Sequence, residues 1–365
     1  MSVGSRSVGA ARPQAPTGSG GAARRQTPTG SAGPARPQTP TGSLGAARPQ
    51  TPTGSGGPAR PAIDSPRSAG ESRLSWLVSA SYPLLLLGGC ALLAAALYAE
   101  LAAPALLVGA YVLLCAGAVA LLERAAPALP GKVSGREVRA DFLHVAFSTV
   151  LPTQLAGVLI TAAGLGASVA SLGWLSETLG LTLWPGSWPL VFQLCLALCV
   201  GDLGSYTLHR LCHKVPLLWR IHALHHTPEQ LYVVAAGRNH PVQAVLNYSL
   251  QTLPVVLLGA DPAVIALYAA FTAVNGLFQH ANLHVRAGLL SGVLATPALH
   301  RTHHSREPKE GNSNFGNNVI VWDWIFGTRH VAPEPAALGI EDKEFPVDWL
   351  PQVLTPLDPG RWERA

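Results

Sequence analysis

The chain has 365 residues, of which 48% are hydrophobic and only 12% are charged, and its mean hydropathy is +0.27. A soluble protein of this length carries about 25% charged residues, so the composition excludes an ordinary soluble domain and indicates long segments that need no water. The net charge of +5 belongs to residues 1–73, which hold nine arginines and two acidic residues, whereas the rest of the chain is weakly acidic. The basic balance therefore gives no reason to expect a nucleic-acid partner.

Residues 1–73 contain four copies of a twelve-residue repeat, at 10–21, 22–33, 34–45 and 46–57. The unit, AARPQTPTGSGG in the last copy, has almost no apolar side chain, so neighbouring copies have nothing to bury against each other. We expect a disordered tail that acts as a spacer, precedes the true translation start, or touches anionic lipid headgroups through its arginines. It does not have the apolar core of a secretory signal peptide.

Apolar segments follow the tail, and several are long enough to cross a bilayer, which takes about 20 residues. Segments 74–99 and 101–122 contain no charged residue and predict a transmembrane hairpin over 74–125. Two more spans are predicted at 142–176 and 187–208. The shorter segments 242–260 and 262–279 predict a hairpin that enters the bilayer only part-way. The expected fold is an all-α integral membrane protein with about four transmembrane helices, this short hairpin and a histidine-rich helical cap.

The distribution of basic residues predicts the orientation, because lysine and arginine concentrate in cytoplasmic loops. The tail arginines, the loop 124–139 and the segment 210–220 fall on one side if four helices cross the membrane between them. We therefore expect a multi-pass protein whose histidine region faces the cytoplasm.

Eleven of the thirteen histidines lie between residues 209 and 304. Ten form four groups with helical spacing: His209 and His213; His222, His225 and His226; His280 and His284; His300, His303 and His304. On a helix, residues three and four apart share a face, with about 5–6 Å between their Cβ atoms, so each group can present imidazoles to a shared ion. Ten ligands are too many for one ion and predict two metals with four or five nitrogens each.

The donor type restricts which metals are expected but does not identify one. All-imidazole ligation suits Fe, Zn, Cu or Ni. A zinc hydrolase usually needs fewer ligands and a carboxylate base, whereas iron becomes the choice for redox chemistry. His240 is either a further ligand or a helix-end residue, and we expect His144 and His330 to be no part of the metal site.

One acidic residue lies close to the histidine groups in the sequence. Asp202 precedes His209 by seven residues, so on a helix the two share a face. We expect the Asp202 carboxylate to accept the N–H of a ligand histidine and to fix its orientation. The alternative is an aspartate that only marks a helix end.

The motifs form a set: Asp202 to His213, Trp219 to His226, Arg238 to Pro241, Gln279 to Asn282, His300 to Ser305, and Asn314 to Thr328. Together they resemble the fatty acid hydroxylase/sterol desaturase superfamily over residues 140–350. The resemblance implies a centre of two Fe ions held by the ten grouped histidines, with O2 as co-substrate. It also implies hydroxylation or desaturation of a lipid, which could be a sterol, a fatty acyl group or an ether lipid. Since no electron-transfer domain is recognisable, a separate cytochrome b5, ferredoxin or reductase would supply electrons.

Three other functions stay open. A metal transporter or metal-binding membrane protein would place histidines inside spans or in loose loops, whereas these lie in helically spaced groups outside the spans. The same fold could also catalyse another lipid oxidation, such as C–C cleavage. A member that only binds lipid is disfavoured because all the histidine groups are intact.

Overall fold

The computed structural model describes residues 69–160, 174, 177–178, 183–332, 335, 337–342 and 344–362. The predicted tail lies outside the described residues as far as residue 68. Its last five residues already belong to the first helix, which begins at Ala69.

Seven helices of ten or more residues carry the fold of the described part. They are α1 (Ala69–Pro83, a π-helical turn Leu84–Gly88, and Gly89–Tyr98), α2 (Pro104–Ala125), α3 (Gly135–Leu143, His144–Val150 and Leu151–Ile160), α4 (Leu190–Cys212), α5 (Pro216–His226), α6 (Pro241–Leu257) and α7 (Pro262–His280). Shorter helices follow: α8 (Pro297–His303), α9 (Pro308–Gly311), α10 (Val321–Ile325), α11 (Trp349–Leu354) and α12 (Pro359–Trp362). The described residues form no β-strand, only two isolated bridges.

Local sequence signals explain where these helices begin. Proline occupies the first position of α2, α5, α6, α7 and α8, where its fixed φ suits a helix and its missing N–H costs nothing. Helix α3 instead starts with a capping box, in which Ser134 and Glu137 each satisfy the other's backbone N–H.

Five helices of the described part are long and apolar enough to cross a membrane: Arg73–Tyr98, Pro104–Ala125, Gly135–Leu159, Leu190–Cys212 and Pro262–His280. The predicted all-α membrane class is confirmed. The hairpin predicted to enter only part-way is α6–α7, and its second helix qualifies as a span. Helix α6 has 17 residues, fewer than the about 20 that a full crossing needs.

Glycines bring α4 and α6 into close contact. A Cβ atom at Gly204 would lie 2.2 Å from the carbonyl oxygen of Leu250, and one at Gly201 would lie 2.8 Å from that of Gln251. Small residues let helix backbones approach closely inside a membrane. The close contact fixes α6 beside the helix that carries the first histidine group.

The helices meet the cap at one common end of the bundle, which we call the site end. There the Glu123 carboxylate at the end of α2 accepts the backbone N–H groups of Val233 and Asn282, at 2.8 and 2.7 Å. The Asp141 side chain of α3 pairs with Arg238, which precedes α6. The C-terminal ends of α4 and α7 carry histidines into the same region, so the chain assembles its histidine groups where the apolar helices end.

Candidate metal centre

Nine of the eleven predicted histidines form two groups in the structure. Group A contains His209, His213, His222, His226 and His303, and group B contains His225, His280, His300 and His304. Within each group, one ring nitrogen of every member lies within 4.8 Å of those of all the others.

Helical spacing explains how two of the histidine sets, His222–His226 and His300–His304, divide between group A and group B. In α5, His222 and His226 are four residues apart and both join group A, whereas His225 points to group B. The set at the end of α8 shows the reverse division, with His300 and His304 in group B and His303 in group A. Each of these two histidine sets therefore contributes ligands to both group A and group B.

The spacing of the nitrogens fits one metal ion in each group. In group A the Nε2 atoms of His213, His222 and His226 are 3.0–3.2 Å apart. In group B successive Nε2 atoms along His225, His280, His300 and His304 are 3.1–3.3 Å apart. Imidazole nitrogens lie about 2.0–2.1 Å from a bound ion, so two ligands at 90–110° from each other are roughly 2.8–3.4 Å apart.

The two groups are neighbours in a single site. The rings of His226 in group A and His304 in group B are stacked, with centroids 4.5 Å apart. Seven of the nine histidines are buried, and only His209 and His213 are partly exposed. The site can therefore hold two ions side by side with little access for water.

Backbone carbonyls set the ring orientation of four ligands. The Nδ1 atoms face the carbonyl oxygens of Phe315, Arg238, Gly276 and Ser313, at 2.8–3.2 Å from His209, His225, His280 and His303 respectively. Since a carbonyl only accepts, each Nδ1 carries the proton and each Nε2 offers a lone pair. The Nε2 atoms of His209 and His303 are buried without a hydrogen-bond partner, as expected of nitrogens reserved for a metal.

A glutamine on α6 orients a fifth ligand. Gln243 is buried, and its amide lies 2.6 Å from Nδ1 of His222. The Gln243 amide oxygen has no hydrogen-bond partner. Rotation of the terminal amide by 180° exchanges its oxygen and nitrogen, and the oxygen then accepts the His222 N–H. In that arrangement His222 has the same tautomer as the other four. Sequence reasoning missed Gln243, because a lone glutamine outside the histidine groups carries no spacing signal.

Two aspartates hold the loop that carries one of these carbonyls. Asp323 accepts the N–H groups of Phe315 and Gly316, at 2.8 and 2.7 Å. Asp202 accepts the N–H groups of Asn318 and Val319, at 2.5 and 2.6 Å. Because the Phe315 carbonyl receives the His209 N–H, both carboxylates position His209 through the loop.

Asp202 therefore differs from its expected role as a direct acceptor of a histidine N–H. Seven residues along a helix correspond to about 10 Å, so a shared face does not bring Asp202 within hydrogen-bond distance of His209. Asp323 was missed as a functional residue, although it lies inside the motif Trp322-Asp323-Trp324.

A buried ion pair holds the carbonyl that orients His225. The Arg238 side chain is 3% exposed and the Asp141 side chain fully buried, and Arg238 donates two hydrogen bonds to the carboxylate, at 2.5 and 2.8 Å. Removing one partner of such a pair leaves an uncompensated buried charge, which costs about 3–5 kcal/mol. The pair thereby fixes the backbone at residue 238 beside the metal ligand.

Two predicted ligands lie outside both groups. His240 caps α6, since its Nδ1 accepts the Val242 N–H and its Nε2 lies 3.2 Å from the Val353 carbonyl oxygen, so both nitrogens are engaged. His284 is exposed. Helix α7 ends at His280, so the four-residue spacing does not place His284 on the face of His280.

Burial keeps the imidazoles of the metal-binding groups neutral. It lowers the pKa of group members outside the spans, such as His222, His225 and His304, well below the usual value, and neighbouring histidines lower it further. A neutral imidazole is the form that binds a metal. The site is therefore ready to bind metal near pH 7 without losing a proton from each ring.

Comparison with known proteins agrees with this centre. Residues 194–328 match the fatty acid hydroxylase family. This segment is a fatty acid hydroxylase domain. The resemblance stated from the motifs is thus confirmed, and the domain contains every histidine of both groups.

Relatives of this domain are lipid enzymes by name. The chain is 42% identical over 157 residues to ornithine lipid hydroxylase OlsE of Rhizobium tropici, covering 43% of this chain and 47% of that protein. It is 33% identical over 147 residues to alkylglycerol monooxygenase of Danio rerio (40% and 32%), and 26% identical over 141 residues to very-long-chain aldehyde decarbonylase GL1-9 of Oryza sativa subsp. indica (38% and 54%). The matched segments thus span about a third to a half of these relatives. No solved structure matches the chain.

Proposed function

We propose that this protein is a membrane-bound lipid hydroxylase whose fatty acid hydroxylase domain binds two iron ions, one in each histidine group. The observation that carries the proposal is the convergence of nine histidines into two neighbouring groups of five and four. The similarity to ornithine lipid hydroxylase and alkylglycerol monooxygenase supports a lipid substrate and oxygen insertion.

The donor set favours iron over zinc. Catalytic zinc sites usually have three protein ligands and a water, and structural zinc sites have four that close the coordination sphere. Group A offers five imidazoles, and the two groups adjoin in one site. Paired nitrogen-rich sites suit a redox metal more than a hydrolytic zinc ion. Bound there, two irons would activate O2 for oxidation of a C–H bond, with two electrons from a separate carrier.

The chain's own part is to position and to shield. The carbonyls of Phe315, Arg238 and Ser313 keep histidine lone pairs directed inward. Phe315 is fully buried and its ring lies edge-on to His209, His213 and His303, with centroids 5.2–5.6 Å apart. An apolar wall at this place would exclude water from the side of group A where metal and lipid would meet.

The charge distribution supports a cytoplasmic position of the site. The sequence contains no lysine or arginine at 99–103, 161–189 or 258–261. The described helix ends that flank these stretches, such as Tyr98, Ile160 and Leu257, lie opposite the site end. At the site end, Arg124, Lys132 and Lys214 follow or end the apolar helices. By the positive-inside rule this end faces the cytoplasm, where soluble reductases, ferredoxins and membrane cytochromes could deliver electrons.

An isotope experiment tests the proposal. Full-length protein, loaded with iron in nanodiscs made from a bacterial polar lipid extract, is supplied with 18O2 and a reduced ferredoxin or cytochrome b5 system. Lipids are then analysed by mass spectrometry. We expect a lipid species heavier by one 18O atom, formed by the natural chain and not by His225→Ala. Loss of two hydrogens without added oxygen would indicate desaturation, chain shortening would indicate C–C cleavage, and iron-loaded protein with no oxidised lipid would contradict an oxygenase.

A further inference from the structure

A cleft at the site end opens onto the metal centre. It has a volume of about 300 Å³ and is lined by His213, Lys214, Val215, Pro216, Trp219 and Asn312. His213 belongs to group A and is one of the two group members that are partly exposed. A larger cavity of about 490 Å³, lined by residues such as Lys132 and Glu229, does not include any histidine of either group. The smaller cleft is thus the one of these two that can lead a substrate to the metal ligands.

The cleft lies where a membrane helix ends. Helix α4 is a candidate span that ends at Cys212, and the cleft begins one residue later. Beside it Leu211, Val215 and Leu217 are 44%, 38% and 69% exposed. Leucine and valine side chains exposed together at the end of a span are best placed in the bilayer, so the opening is accessible from the lipid phase.

The two sides of the cleft differ in chemistry. Val215, Pro216 and Trp219 form an apolar wall, and the Trp219 ring lies 5.2 Å from His213 and 5.6 Å from His226 between centroids. Lys214 and Asn312 are polar and exposed. A lysine at this depth reaches the headgroup region with its ammonium group while its methylenes stay against apolar surface. The cleft therefore offers an apolar path to the metal ligands and a cation at its mouth.

We propose that this cleft admits a membrane lipid with an anionic headgroup, whose chain passes Trp219 towards group A and whose phosphate or carboxylate binds Lys214. The inference rests on the proposed function, because it names the substrate class of the same site. Attraction of an anionic lipid by one lysine near the membrane surface corresponds to about fivefold in local occupancy.

A crosslinking experiment tests the cleft without requiring turnover. The photoreactive residue p-benzoylphenylalanine replaces Val215 in the full chain, in nanodiscs that contain equal amounts of phosphatidylglycerol and phosphatidylcholine. We expect crosslinks to phosphatidylglycerol to exceed those to phosphatidylcholine about fivefold, and Lys214→Gln to remove this excess. Lys309→Gln is the matched control, because Lys309 is exposed on α9 and does not line the cleft.

The outcomes separate this inference from the proposed function. Equal crosslinking of both lipids in the natural background, or an excess that survives Lys214→Gln, overturns the headgroup assignment even if the protein hydroxylates lipid. An excess lost equally in Lys309→Gln would mean a general surface charge effect and would also overturn it. Preferential crosslinking abolished by Lys214→Gln alone supports the cleft, whatever the isotope experiment shows.

Discussion

Replacing Gln243 by leucine should weaken metal binding in group A. Leucine keeps the size and burial of the side chain but removes the amide that lies 2.6 Å from Nδ1 of His222. The His222 N–H then loses its acceptor in a buried site, and the ring no longer has a single preferred tautomer. Because His222 contributes its Nε2 to group A beside His213 and His226, the effect should fall on that group first.

The size of this effect follows from two considerations that agree. Loss of a partner that orients a metal ligand typically costs 10–100-fold in metal affinity, about 1.4–2.7 kcal/mol. A buried N–H left without an acceptor costs about 1–3 kcal/mol. The expected result is one ion lost at a chelator concentration that removes neither ion from the natural chain. Gln243→Glu, which retains an acceptor, should preserve both.

The assay is chelator competition on iron-loaded full-length protein, with iron counted per chain. Gln251→Leu is the matched control, since Gln251 is also a buried glutamine on α6, and its amide donates to Ser205 and orients no histidine. We expect Gln251→Leu to lower thermal stability without changing the iron count at a given chelator concentration. An iron count in Gln243→Leu equal to that of Gln251→Leu would refute the role assigned to Gln243.

Three further expectations follow from the site. His225→Ala should lose the group B metal and turnover while the protein still inserts into membranes, whereas His284→Ala should keep both metals. Metal analysis after purification distinguishes the two variants. Metal loss in His284→Ala would contradict the exclusion of His284 from group B. Asp202→Ala should detach the loop at Asn318, lower the melting temperature and loosen iron at His209; unchanged chelator resistance would show that the loop does not hold that ligand. On acidification, the metal-free protein should lose stability as the pH falls below about 6.5. Burial lowers the pKa of imidazoles such as His225 in the folded state, so only the unfolded chain binds protons in this pH range. A melting temperature equal at pH 7.5 and 5.5 would refute this.

Three of the four histidine groups could be predicted from the sequence, because helical spacing depends only on residues that are close in the chain. The groups at 209–213, 222–226 and 300–304 lie on helices or end at the C-cap residue that directly follows the helix, so residues four apart still share a face. The pair at 280 and 284 has the same spacing but fails, because α7 ends at His280 and the chain turns away. Spacing alone does not show where a helix stops.

What holds the ligands could not be predicted for a different reason. The contacts of Gln243 with His222 and of Asp202 with Asn318 join residues 21 and 116 positions apart. They depend on the tertiary packing of α6 against α5 and of the loop around Asn318 against α4, and no periodic pattern encodes such packing. The sequence placed Asp202 near the site correctly and gave it the wrong partner, since a shared helix face says nothing about the loop that packs against it.

The metal content of the purified full-length protein tests the central claim most directly. Protein expressed in iron-replete medium and purified in mild detergent is analysed for all transition metals, together with His225→Ala for group B and His303→Ala for group A. Two groups that each hold one ion predict close to two irons per chain, and about one in each variant. A single zinc ion per chain, unaffected by either substitution and without O2-dependent oxidation of lipid, would contradict it.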